Sequence, residues 1–90
     1  MRYAWDRHKA ASNARKHGVT FLEAATVFRD PCAMTYLDPD HSADEERFIT
    51  LGLSSGGRLL FVAHADNDDR IRIISARCAT RREEHAYTEG

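Results

Sequence analysis

No stretch of this 90-residue chain approaches the roughly 20 consecutive apolar residues that a bilayer-spanning helix needs. Cysteine is scarce. Cys32 and Cys78 lie far apart with no CxxC pair, and with five scattered histidines they make no zinc-ligand spacing. Free, reduced thiols are therefore expected. There is no repeat, no low-complexity tract and no Pro/Gly-rich linker, so one domain is expected over residues 1–90. The opening MRYAWDRHK is charged where a signal peptide has its apolar core, and cytoplasmic residence follows as an expectation. Also missing are a clustered Asp/Glu/His set for two metal ions, a G-x-S-x-G elbow and a phosphate-cradling glycine loop. Any catalysis is thus expected to use no metal and no cofactor.

What is present is arginine, in one place. RIRIISARCATRR carries Arg70, Arg72, Arg77, Arg81 and Arg82 with no acidic residue among them, although the net charge of the chain is only −1. A guanidinium is planar, always charged and matched to phosphate oxygens. The remaining charge is segregated too. Residues 1–17 hold five Lys and Arg against Asp6, while DPDHSADEE (38–46) holds five acids and no Lys or Arg. DNDD (66–69) and the last eight residues hold three acids each. A two-faced molecule is one reading; solvated acidic loops are the other.

The pattern predicts an α+β domain in the order ααββββα, with one curled antiparallel sheet packed by helices. Asp6 caps a helix RHKAASNARKH that Gly18 stops. Its alanines form a weak apolar stripe, Lys9, Asn13 and Lys16 share another face, and Trp5 lies over its first turn. Thr20 and Glu23 read as a capping box for a second helix, whose Phe21, Ala24, Ala25 and Phe28 recur at helical spacing before Asp30 and Pro31 end it. Strands are expected at 33–37, 47–53, 59–65 and 70–76, the last three as a meander. A second box, Thr80 and Glu83, begins a final helix near Arg81.

Arg72 falls on the face of its strand opposite Ile71 and Ile73, and Arg77 follows where that strand ends. Arg81 and Arg82 occupy the first turn of the last helix, where unpaired N–H groups already make the potential positive. The alternative is that these arginines pair with Glu83, Glu84 or the acidic loops. The phosphate-site reading is preferred because four arginines are expected to converge on one end of the sheet. His64 is a candidate proton shuttle, or else a hydrogen-bonded strand histidine. Tyr87 either offers its hydroxyl to the site or docks the helix. His17 has a capping role at least as readily as an active one. Lys9, Lys16 and Arg70 extend the positive surface, or are simply solvated. Fixed positive charge of this kind could stabilise a phosphorane while an RNA strand's own 2′-hydroxyl attacks.

Four segments also resemble a known family: WDRHKAASNARKHGVTFLEAATVFRDP, then EERFITLGLS and LLFVAHA, and above all RIRIISARCATRREEHAY. Together they are similar to the BrnT family of bacterial toxins, over nearly the whole chain. The resemblance implies a RelE-like fold and ribonuclease activity that halts translation. It also implies neutralisation by a BrnA-like ribbon-helix-helix antitoxin in a heterotetramer, which binds promoter DNA only through the antitoxin. Carried onto matching positions, it points to Arg72, Arg77, Arg81, Arg82 and Tyr87, with His64 and Lys9 at positions typical of the family. Cys78 stands where relatives carry Lys or Arg, and REEHAYTEG is more acidic than a BrnT tail should be. A different class of function is therefore kept alongside: a catalytically weak module that binds its antitoxin and tunes autorepression. A stand-alone DNA-binding domain is disfavoured, since no helix-turn-helix spacing is present.

Overall fold

The computed structural model describes residues 2–90. Its elements run β1 (Arg2–Ala4), α1 (Arg7–His17), α2 (Phe21–Ala25), a 3-10 turn (Thr26–Arg29), β2 (Met34–Leu37), a second 3-10 turn (Pro39–His41), β3 (Phe48–Leu53), β4 (Leu59–Asn67), β5 (Arg70–Cys78) and α3 (Arg81–Glu89). The five strands form one sheet in the order β1-β5-β4-β3-β2. The expected order was short by one strand, and the sheet is mixed rather than wholly antiparallel, because β1 runs parallel to β5. Three residues are too few to display alternation. This strand is held instead by its pairing with β5 and by Tyr3 stacking on Phe28 at 5.6 Å.

Local signals account for most of the rest. Asp6 accepts from the Lys9 N–H at the start of α1, and Gly18 ends that helix at φ +68°, a left-handed conformation that glycine adopts without a Cβ clash. Thr20 caps α2, but the box is only half made. Glu23 turns away to accept from Arg58 at 2.5 and 3.0 Å and from Ser54 at 2.7 Å. The box at Thr80 and Glu83 is complete. Regular α2 ends at Ala25, and the 3-10 turn carries Phe28 onward.

One face of the sheet carries α1, α2 and the 3-10 turn over the main core of Val19, Phe21, Ala24, Val27, Leu60, Val62, Ile71, Ile73 and Ala76. Trp5 joins it against Phe21, at 6.0 Å between rings. The face of α1 expected to hold lysines is split by this packing. Lys9 and Lys16 are exposed, whereas Asn13 is buried and reaches β5. Its side chain donates to the Val19 and Ala76 carbonyls and accepts the Ala76 N–H, at 2.8–3.0 Å, which locks helix, turn and strand together.

The opposite face is covered only in part. α3 packs across it onto β3, and Tyr87 donates to Asp30 at 2.5 Å. The loop between β2 and β3, residues 38–47, closes over the other side. β5 carries a bulge here: Ile73 pairs with His64 and Ser75 with Ala63, leaving Ile74 as an extra residue. Both cysteines are free and exposed.

Candidate functional site

Between β2, the 38–47 loop and the partly covered sheet face lies an open cleft of about 450 Å³. Its floor is the partly covered sheet face: Ile49 of β3, Phe61 and Ala63 of β4, Ile74 and Ser75 of β5. Tyr36 of β2 and the loop residues Asp38, Asp40, His41 and Arg47 form the rim. Ser42 braces that loop. Its hydroxyl donates to the Asp38 carbonyl at 2.5 Å and accepts the Arg47 N–H at 3.0 Å, while the Asp38 N–H donates to the Arg47 carbonyl at 2.8 Å.

Arginines stand at both ends of the floor. Arg77 pairs across the ladder with Phe61 and lies over its ring at 3.9 Å from the centroid. Both terminal nitrogens donate to Glu83, each at 2.9 Å, and this pairing first, then the Thr80 N–H, holds the Glu83 carboxyl below the usual range. At the other end Arg72 pairs with Glu45, which the loop brings across the face. Beside it are Arg70 and, through β1, Arg2, whose Cα partners Arg70. Arg81 and Arg82 are exposed on the first turn of α3 and make no ion pair among the described residues.

A family model described as the ribonuclease toxin BrnT of type II toxin–antitoxin systems matches residues 5–83. The chain belongs to the BrnT family. In fold it is similar to the ribonuclease toxin BrnT of Brucella abortus, a crystal structure with which it shares 24% identity at a TM-score of 0.70. The alignment covers 90% of this chain and 99% of that one. No curated protein sequence matches.

Within this BrnT fold the residues singled out from sequence do not form one cluster. Arg72 and Arg77 share a face but are five residues apart, roughly 15 Å along the strand. The arginines thus divide between two ends of the cleft rather than converging on one. Carboxylate pairing, set out above as the alternative, is what Arg72 and Arg77 do. His64 faces the other way, 1% exposed under the helices, with Thr50 Oγ1 and Asp66 Oδ1 each 2.7 Å from a ring nitrogen. Phe28 and Phe48 pack against its ring. Strand alternation puts it on the face away from Arg72 and Arg77, so it shares no surface with them. Tyr87 docks α3, and hydrogen bonding to Asp30 pushes its phenol up to about 12. Lys9 and Lys16 lie on α1, on the far side of the sheet from the cleft.

Tyr36, His41 and Arg47 were not among the candidates. Each comes from an acidic or apolar stretch whose local pattern gives no hint of a cleft. Burial, then the nearby Glu83 carboxylate, raises the Tyr36 phenol above its ordinary value. Among the described residues no group of three or more His, Cys, Asp or Glu side chains is placed to hold a metal ion. No helix there is long and apolar enough to cross a membrane.

Proposed function

We propose that this member of the BrnT family is a RelE-like endoribonuclease that cleaves RNA across the open cleft by attack of the substrate's own 2′-hydroxyl, without a metal ion, and so halts translation. The observation that carries the proposal is the match to a ribonuclease-toxin family together with a cleft whose floor on β4 lies between Arg77, stacked over Phe61, and Arg72, which pairs across the ladder with Ala65. The ribose-phosphate chain lies along the floor. Arg77, Arg81 and Arg82 stabilise charge on the phosphate, with help from the N-terminus of α3, and Arg72 and Arg70 hold the strand beyond it. His64 supports the floor from beneath. The net charge of −1 keeps affinity for free RNA weak. A ribbon-helix-helix antitoxin of the BrnA kind, in a heterotetramer, covers the cleft and supplies all contact with promoter DNA.

The ion pairs made by Arg72 and Arg77 favour a second reading, in which the fold is a catalytically weak antitoxin-binding module. One experiment decides. Expression without antitoxin should arrest growth, Arg77→Ala or Arg82→Ala should relieve the arrest, and the purified protein in EDTA should leave 2′,3′-cyclic phosphate ends. A harmless wild type, or products ending in 5′-phosphate, would refute the ribonuclease reading.

A further inference from the structure

We infer that His41, oriented by Asp38, is the general base of the cleavage and that Arg47 beside it contacts the scissile phosphate; this rests on the ribonuclease reading above. The His41 Nδ1 is 3.0 Å from Asp38 Oδ2. An ionised carboxylate only accepts, so the shared proton sits on Nδ1, and the Nε2 lone pair is left to accept another. Nε2 has no partner among the described residues, and the side chain is 66% exposed on the cleft rim. The dyad is not on a loose loop. The 3-10 turn holding it is closed by Ser42 against the Asp38 and Arg47 backbone. Arg47 lines the same cleft, and its Nε is buried with no hydrogen-bond partner among the described residues, a donor that an entering anion would satisfy. His64 cannot serve, since both its nitrogens are engaged under the helices. His8 and His17 lie on α1, behind the sheet.

His41 takes the proton of the 2′-hydroxyl as O2′ bonds to phosphorus. The bond from phosphorus to the 5′-oxygen then breaks, that oxygen takes a proton from solvent, and the imidazolium returns its own proton to solvent. The sum is a transesterification that consumes no water, proton or electron.

The test is steady-state cleavage of a single-stranded RNA oligonucleotide by the full chain. His41→Gln should lower kcat by about 100-fold, the usual scale of general base catalysis, with KM within about threefold of wild type. Asp38 acts through His41, so Asp38→Asn should lower kcat, by no more than His41→Gln does, at unchanged KM. Imidazole added to His41→Gly should restore part of the rate while leaving wild type unaffected. His41 is exposed and asparagine keeps the shape of the more covered Asp38, so all three variants should melt with wild type. If wild type cleaves and His41→Gln keeps a third or more of its kcat, or if imidazole restores nothing, the role of His41 is overturned and the ribonuclease reading stands. A wild type that cleaves no RNA overturns both.

Discussion

Glu83→Gln separates an arginine that is reserved for RNA from one that merely fastens a helix. Glu83 accepts two parallel hydrogen bonds from Arg77 at 2.9 Å, with the two side chains 20% and 35% exposed. A pair this accessible lies near the upper end of the exposed range, about 1 kcal/mol. Glutamine still closes a capping box with Thr80 and still accepts one bond from Arg77. The fold should therefore lose only about 0.5–1 kcal/mol, or roughly 2–8 °C in Tm for a domain of this size. If Arg77 must leave Glu83 to meet a phosphate, removing that competition returns about 1 kcal/mol to binding, roughly a fivefold tighter Kd. One more phosphate neutralised steepens the slope of log K against log salt by about 0.7 for a single strand. The assay is fluorescence anisotropy of an RNA made uncleavable by 2′-deoxy substitution, across a salt series. Glu84→Gln is the control, since it removes the same charge from the same turn without releasing Arg77. Equal affinities and slopes for the two variants would refute the idea that Arg77 is held in waiting for phosphate.

Asn13→Ala should be the costliest single change on α1. It strips partners from the Val19 carbonyl and from both backbone groups of Ala76, and each buried orphan costs about 1–3 kcal/mol. A loss of about 3 kcal/mol or more in urea unfolding is expected, and a loss under about 1 kcal/mol would show that water replaces the amide. On the acid side, Arg77 holds Glu83, Arg58 holds Glu23 and Tyr87 holds Asp30 below their ordinary values. The unfolded chain then binds more protons than the folded one. The stabilisation is complete above about pH 4.5, the ordinary glutamate value, and is lost as pH falls through the depressed folded values. Urea midpoints should fall below that pH and fall less steeply in Arg58→Ala; a midpoint flat to about pH 2 would contradict the assignment.

The elements that could be read from the chain are those whose cause is local. Asp6 and Thr80 announce helix starts because a cap and its N–H lie within three residues. The meander of β3, β4 and β5 follows from alternation and short polar turns. What escaped has its cause elsewhere in the chain. Glu23 looked like half of a capping box because its true partner, Arg58, is 35 residues away. Asn13 looked like a surface neighbour of Lys9 because nothing nearby in sequence reveals that Ala76 needs its amide. The acidic run 38–46 left open a charged face or solvated loops, and neither reading shows that it reaches across the sheet to put Glu45 on Arg72 and His41 on the cleft rim. Charge pattern locates such a loop in sequence but not where it lands.

The bulge at Ile74 decides which arginines can act together. In a regular strand, residues separated by an odd number point to opposite faces, so Arg72 and Arg77 would be divided by the sheet. β4 has no matching extra residue: Phe61, Ala63 and Ala65 alternate without a break and pair with Arg77, Ser75 and Arg72 in turn. The inserted Ile74 therefore flips the parity of everything after it. The first half of β5 still sends Ile71 and Ile73 to the core, while Ala76 rather than Arg77 faces inward in the second. Arg77 is thereby returned to the face of Arg72, above Phe61, and the bulged residue itself forms part of the cleft floor. A bulge re-aims side chains at a cost in ladder hydrogen bonds, and here what it re-aims is the guanidinium nearest α3. The clustering of arginines in RIRIISARCATRR is thus not enough to make a shared surface; one unpaired isoleucine in their midst is the physical reason that two of them have one.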